Sequence, residues 1–480
     1  MTTRLNRRTF VRNSALGAGI AAGALWRGVP QVLADPSPNS RLNIAGIGVG
    51  GRGGSHVISA LQENLVAVCD TSDNSLKGCL GHIERHCREN KIDRPAPKTF
   101  FDYRQMLDKM KGQIDAVFVA TPDHHHAPAS LRAIKLGKHV YCEKPLTHTI
   151  DEARQLTLAA RQYKVATQLG NQSRAEQGWR LLCEWVWAGV IGNVKEVHVW
   201  TDRAGIASRF WWPQGSSRPA GADPVPAGLH WDEWLGPAPQ RPFLDKYKEG
   251  KFKGRQVYQP FVWRGWWDFG TGALGDIGCH AMSGIFSALK VQHAAAVELV
   301  HDTGDGTAEM FPNASTIRWE IPQRAGMSPC QLFWYDGGHY PAAEIGEIPA
   351  GQQYADNGTI LVGEKGKIAL HGYSPRLMPE AKMKDFKPPA PTIPRCEIAP
   401  HGSTDAKHFG EWVAACKGGR PAFSNFDHGG PLTEFVLLGN LAIRAGVGQK
   451  VQWDGPNLKS PNHPELERFV RSDYRSGWNP

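Results

Sequence analysis

From residue 41 to about residue 169 the chain repeats one pattern: a short apolar run that ends in glycine or a polar residue, then a stretch of helical periodicity. The runs are residues 42–47, 65–70, 114–120, 139–142 and 165–168, and they lack an alternating polar face. Strands of that kind are buried on both sides, so their alternation with helices predicts a doubly wound parallel α/β sheet. Helices are expected over the basic segment 77–95, from residue 103, and over 127–136 and 150–163. Past Gly170 the rhythm changes. A helix over 176–188 precedes runs that alternate polar and apolar positions, at 194–201, 296–302, 315–321, 331–335, 359–362 and 367–370. Alternation predicts a second, α+β domain spanning 170–480, with a mainly antiparallel open sheet, one face on helices and the other available to a second copy of the chain. Two irregular stretches interrupt it: 204–271, rich in Pro, Gly and Trp, and the proline-rich 372–402. Helices over 405–416 and 432–446 close the chain. Long loops without regular structure are usually functional.

The first apolar run leads into Gly48-Val-Gly50-Gly51-Arg52-Gly53, the spacing G-x-G-x-x-G. A strand that ends in such a loop and restarts as a helix offers backbone N–H groups and a positive helix end to a pyrophosphate. Asp70 closes the second run, twenty residues after Gly50, where a dinucleotide fold places the carboxylate for the ribose hydroxyls. Thr71 follows it rather than an arginine, which favours NAD over NADP. The other strand ends carry Thr121-Pro122-Asp123-His124-His125-His126 and Glu143-Lys144-Pro145, on the edge where open α/β sheets take their ligands. Adjacent side chains diverge, so the histidine run lines a cofactor more readily than it binds metal, and no metal is expected.

Composition then removes other classes. The formal charge of +9 is concentrated at the start: residues 1–34 hold Arg4, Arg7, Arg8, Arg12 and Arg27 and no acid. Without these five, 50 basic residues face 46 acidic ones, which is no nucleic-acid footprint. The paired Arg7-Arg8, the apolar run 15–25 and Val32-Leu33-Ala34 resemble a twin-arginine export signal, implying a periplasmic protein handed to the translocase already folded. The run is short for a membrane span. Because a periplasm offers no pool of free dinucleotide, a cofactor would be loaded before export and kept. The nine cysteines show no paired C-x-x-C spacing, so neither a zinc site nor a disulfide framework is expected.

Four segments together give a family resemblance. The fingerprint Gly48-x-Gly50-x-x-Gly53, the strand end Ala120-Thr121-Pro122-Asp123-x-x-His126, the triplet Glu143-Lys144-Pro145 and the segment Gly275-Asp276-Ile277-Gly278-Cys279-His280 resemble the Gfo/Idh/MocA family of sugar and inositol oxidoreductases, in its order and spacing. The resemblance implies a cofactor edge of Gly48, Gly50, Gly51, Arg52, Gly53, Asp70, Thr121, Pro122, His124, His126, Glu143 and Lys144. It also implies that Lys144 sits beside the nicotinamide while Asp276 and His280 approach from the second domain. The chemistry agrees. Oxidising a secondary alcohol needs a base for the hydroxyl proton, and a histidine with a pKa near neutrality suits that task. Lys144 can stabilise developing alkoxide charge. Asp276, four residues before His280, shares its helix face and reads either as an N-cap or as an orienting ligand.

Tryptophan supplies the last signal. Trp211, Trp212, Trp231, Trp234, Trp263, Trp266 and Trp267 all fall in 204–271, and such platforms stack on the C–H face of a pyranose. Gln172, Trp263, Arg264, Asp276 and His280 are the expected substrate contacts, with Asp232, Asp268, Gln168 and Asn171 as further polar neighbours. The expectation is an exported NAD(P)-dependent oxidoreductase acting on a secondary hydroxyl of a sugar, glycoside or cyclitol, with tightly bound, internally recycled cofactor. Two alternatives stand beside it: an NAD-dependent glycosidase or lyase working through transient ring oxidation, and a noncatalytic sugar-binding protein on the same fold.

Overall fold

A computed structural model describes residues 41–204, 211–396 and 402–480. The stretch read as an export signal, residues 1–34, lies outside the described residues. Six strands, β1 (Asn43–Ile47), β2 (Asn64–Cys69), β3 (Lys98–Phe100), β4 (Ala116–Val119), β5 (His139–Glu143) and β6 (Thr167–Gly170), form a parallel sheet in the order β3-β2-β1-β4-β5-β6. Strand order reverses between β1 and β4, the position where open α/β sheets open a crevice at their carboxyl ends. Successive residues point to opposite faces. Ile44, Val68, Phe118 and Tyr141 therefore pack on one side with helix α1 (Gly53–Ala60) and α2 (Asp73–Glu89), while Ala45, Ile47, Val117, Val119 and Val140 pack on the other. Helix α2 ends at Glu89, short of the expected residue 95, and its cap Ser72 accepts a hydrogen bond from the Ser75 amide.

The second sheet has eight strands in the order β13-β12-β11-β7-β10-β9-β8-β14. Its strands are β7 (Val194–Trp200), β8 (Ala296–Asp302), β9 (Ser315–Ile321), β10 (Cys330–Tyr335), β11 (Gly358–Gly363), β12 (Gly366–His371), β13 (Ser374–Met378) and β14 (Lys450–Gln452). All pairings are antiparallel except β7 with β10, so the sheet is mixed and mostly antiparallel. The edge strands β13 and β14 carry too little alternation to be read beforehand. A single apolar cluster runs from Ala45 and Val117 through Leu432 and Val436 to Ile317 and Trp319, joining the two sheets.

Helix Thr404–Cys416 comes late in the chain but completes the parallel sheet: Phe409 and Trp412 lie fully buried in the same cluster as Ile44 and Phe118. Within 204–271 a separate cluster of Trp234, Leu244, Tyr258, Trp266 and Phe269 gives the irregular stretch its own core. No helix among the described residues is long and apolar enough to cross a membrane.

Candidate active site

The glycine-rich loop departs from β1 with Gly48 at φ +76°, where an added Cβ would lie 2.7 Å from the Ala120 carbonyl oxygen. At Gly53 a Cβ would fall 1.9 Å from the Gly48 carbonyl oxygen, so only glycine lets α1 start against β1. The exposed Gly51 and Arg52 then stand at the N-terminus of α1, where backbone donors and the helix dipole favour an anion. Asp70 lies beneath the loop, its Oδ2 accepting from the amides of Val49 (3.0 Å) and Gly50 (3.2 Å) and its Oδ1 from Ser72 (3.0 Å). Burial raises its pKa, against the pull of those amides. A loop cleared of side chains, opening onto a helix start with a strand-end carboxylate below it, fits a dinucleotide.

Glu143, at the end of β5, is the centre of a buried polar network. Its Oε1 accepts from His56 Nε2 (2.6 Å), Gln172 Nε2 (2.7 Å) and Arg52 Nε (3.4 Å). Burial opposes its charge, but His56, Arg52 and Lys144 together hold the carboxyl well below the usual range. Behind it, Gln172 also donates to the Tyr141 hydroxyl (3.0 Å), which meets His408 Nδ1 at 3.1 Å.

Lys144, the next residue, leaves the sheet edge and reaches helix Gly272–Ala281. Its Nζ donates to the Asp276 carbonyl oxygen (2.6 Å) and to Asp276 Oδ1 (2.7 Å). Arg264 Nε donates to the same Oδ1 at 2.8 Å, and Arg203 Nη1 stands 3.7 Å from Oδ2. Burial raises the cost of this carboxylate, yet Lys144 and Arg264 more than offset it and keep Asp276 ionised. Both guanidiniums rest on indoles, Arg203 3.5 Å from the Trp211 ring centre and Arg264 4.3 Å from that of Trp263. One turn on from Asp276, His280 has an Nδ1 without a partner among the described residues. Burial and then the Lys144 charge push its pKa down to about 3. The ring is therefore a neutral acceptor at physiological pH, not a group poised near neutrality. Asp123 completes the centre: it accepts from the Thr271 hydroxyl at 2.6 Å, and burial lifts it to about 7.

Several expected residues go elsewhere. Asp276 is no N-cap, because its helix begins at Gly272 and places it in the second turn. His124 turns from the cofactor edge toward the irregular stretch, with Nδ1 3.2 Å from the Phe269 carbonyl and Nε2 3.1 Å from that of Trp234. His126 sits between the carbonyls of Pro145 (2.7 Å) and Thr121 (2.9 Å), tying two strand ends together. Gln172 faces Glu143 and Tyr141 rather than an open pocket, Gln168 donates to the His408 carbonyl, and Asn171 pairs with Ser283 and Ser424. Asp232 pairs with Arg475, and Asp268 with Arg241. Trp212, Trp234 and Trp266 are buried core, Trp231 stacks on Trp234, and Trp267 packs on Phe311 and Arg444, which leaves Trp211 and Trp263 as the indoles beside the Asp276 cluster.

The residues not anticipated are His56, Arg203 and Asp405; Asp123 is part of the strand-end motif but carries no expected role of its own. His56 lies three residues past Gly53 on the buried face of α1, a local signal that was present. Asp405, which accepts from Arg52, has no local signal at all.

The comparisons with known proteins agree with this fold. Residues 42–171 match the model for the oxidoreductase family, NAD-binding Rossmann fold, and residues 180–320 that for the oxidoreductase family, C-terminal alpha/beta domain, together more than half of the chain. The chain belongs to the Gfo/Idh/MocA oxidoreductase family. It is 28% identical over 173 residues to a glycosyl hydrolase family 109 protein of Shewanella putrefaciens, and 30% identical over 171 residues to an alpha-N-acetylgalactosaminidase of Shewanella oneidensis. Each match covers 32% of this chain and 36% of the relative's length. Among solved structures, the fold is similar to the aldose-aldose oxidoreductase of Caulobacter crescentus complexed with glycerol (TM-score 0.53, 17% identity, 86% of this chain and 100% of that one). It is also similar to the WlbA dehydrogenase of Bordetella pertussis in complex with NADH and UDP-GlcNAcA (TM-score 0.54, 15% identity, 86% and 99%).

Proposed function

We propose that this protein is an exported oxidoreductase acting on a secondary hydroxyl of a sugar, glycoside or cyclitol, with a tightly held nicotinamide dinucleotide, NAD in preference to NADP. The observation that carries the reading is the 2.7 Å contact of Lys144 with Asp276, made where the end of β5 meets a second-domain helix at the carboxyl edge of the parallel sheet. Bound at that edge, a nicotinamide supplies the hydride acceptor. The chain's own residues do the rest. Lys144 and Arg264 present N–H donors to the reacting oxygen and stabilise its growing negative charge. His280, neutral and with its Nδ1 buried and without a partner among the described residues, is the acceptor for the hydroxyl proton, its proton affinity raised by the negative charge that develops on the neighbouring oxygen. Asp276 holds the two cations in place, and Trp211 and Trp263 offer flat faces to a sugar ring. Export rests on Arg7-Arg8 and the apolar run that follows, and the outer face of the second sheet would serve association with a second copy.

The glycosidase relatives favour a second reading. There, transient oxidation of a ring carbon acidifies the neighbouring C–H, the aglycone leaves by elimination, and water addition with re-reduction gives hydrolysis without net redox change.

The test is to purify the protein, denature it and assay the supernatant for nicotinamide dinucleotide, then to incubate the intact protein with aryl glycosides. Aglycone release without an added electron acceptor selects the glycosidase, and a stall after one turnover selects the dehydrogenase. Unaltered activity in Lys144→Ala would sink both.

A further inference from the structure

The segment that completes the parallel sheet from the far end of the chain also touches the glycine-rich loop. Ser403 caps helix Thr404–Cys416 by accepting from the Ala406 amide at 3.2 Å, and Asp405 lies in its first turn. Asp405 receives a two-pronged pair from Arg52, Nη1 to Oδ2 at 3.0 Å and Nη2 to Oδ1 at 2.6 Å. Arg52 is itself a loop residue, between Gly51 and Gly53 of the fingerprint, and its Nε also reaches Glu143 at 3.4 Å. One guanidinium therefore joins three things: the start of the nucleotide cradle, the residue before Lys144, and a helix start 353 positions later.

The helix on the Asp405 side is rigidly seated. Phe409 and Trp412 are buried against the sheet, His408 meets the Tyr141 hydroxyl, and Thr404 donates to Glu176 at 2.8 Å. On the other side, there is space beside Arg52: Gly51 has φ +48°, and among the described residues no atom lies within 4 Å of where its Cβ would be. The pair itself is partly open to solvent, with 38% and 31% of the two side chains exposed. A firm anchor, open space beside Arg52 and a solvent-accessible bidentate bond are the parts of a catch that can open.

We propose that Arg52 and Asp405 form a latch across the rim of the nucleotide cradle that sets how fast the dinucleotide leaves. Asp405 is a positioning residue acting through Arg52, and it has no contact with the cofactor of its own. The inference rests on the reading that the cradle takes a nicotinamide dinucleotide, and it assigns the retention expected of an exported enzyme to a specific ion pair.

The experiment uses the full chain loaded with NADH, and follows loss of its bound fluorescence after dilution into excess lactate dehydrogenase and pyruvate, which consume whatever is released. Asp405→Asn and Arg52→Gln are each expected to speed release about tenfold, the double variant little more than either, and Asp405→Glu to restore slow release. Raising salt to 1 M should speed release from the parent and leave the Asn variant unchanged. If Arg52→Gln speeds release but Asp405→Asn slows it, Arg52 binds phosphate directly with Asp405 as its competitor, and the latch is wrong. Equal rates in all variants overturn it as well. Should the parent itself fail to bind NADH, the cofactor reading falls and takes the latch with it, an outcome distinguishable because the unmodified chain fails too. Melting curves of the unloaded proteins separate these results from misfolding.

Discussion

Asp276 is the residue on which the site turns, since Lys144 and Arg264 both touch one of its oxygens. Replacing it with Asn removes the charge those cations share and leaves them buried without a counter-ion. Breaking a buried pair of this kind costs about 3–5 kcal/mol, so Asp276→Asn should lower the denaturation midpoint by an amount that calorimetry resolves. Lys144→Met removes the donor to the reacting oxygen, and loss of one such donor typically costs about 10²–10³ in rate. Single-turnover measurements should show that loss with cofactor content unchanged. His280→Ala should likewise stop hydride transfer and leave bound dinucleotide in place. Because the His280 pKa lies near 3, its titration should place no acid limb between pH 5 and 8 in the rate profile. An inflection near 6.5 that disappears in His280→Gln would contradict the neutral-ring assignment.

At the scale of elements, the informative feature is helix Thr404–Cys416. Periodicity alone revealed a helix there, but not that it belongs to the parallel sheet. Phe409 and Trp412 fill the same side as Phe118 and Tyr141, and Trp412 is fully buried. Truncation of a buried tryptophan typically costs about 3–5 kcal/mol. Trp412→Ala should therefore lower stability by that order in urea unfolding. It should also weaken NADH binding, because the first turn of the same helix holds Asp405. A surface change such as Lys111→Ala, at an exposed position, should do neither to a comparable extent. The irregular stretch has a parallel lesson: its tryptophan cluster as a whole reads as a sugar site while any single indole reads as loop core, and the structure places Trp234 and Trp266 in a local core. Composition marks a loop as aromatic-rich; which indoles are left facing a cleft depends on how the loop folds on itself.

For the whole molecule, ten histidines among the described residues (124, 125, 126, 139, 148, 198, 280, 339, 408 and 428) have pKa values lowered by the fold. Below pH 6.5 the unfolded chain takes up protons that these rings refuse, so stability is lost as pH falls toward their folded values. For a fully buried ring such as His125 or His408, with folded values of about 4 and about 3, the loss at pH 5 is about 2 kcal/mol. Among the described residues five carboxyls, Asp70, Asp123, Asp336, Glu411 and Glu434, are raised and act in the opposite sense, their contribution present at low pH and lost as pH rises through their folded values. The histidines outnumber them and titrate across the interval from 6.5 to 5, so the melting temperature should fall between pH 7 and pH 5. A melting temperature that rises over that interval would contradict this balance.

What the amino-acid order determined by itself was everything with a short-range cause. Apolar runs without a polar face required a buried parallel sheet, alternating runs required a half-covered one, and the glycines at 48 and 53 were demanded by a turn and a contact too close for a Cβ. The strand-end residues Asp70, Glu143 and Lys144 were legible for the same reason, since parallel sheets put their ligand edge at strand ends. Tertiary structure alone decided which distant charges converge. Arg264 reads as a substrate contact alongside Asp276, but nothing near Arg203 announces that it faces the same carboxylate, and nothing near Asp405 announces Arg52. Nor does local sequence say that His124 faces backbone carbonyls while His280 is stripped of its usual pKa. These outcomes depend on burial and on charges contributed by other segments, and both are properties of the packed molecule rather than of any window of its chain.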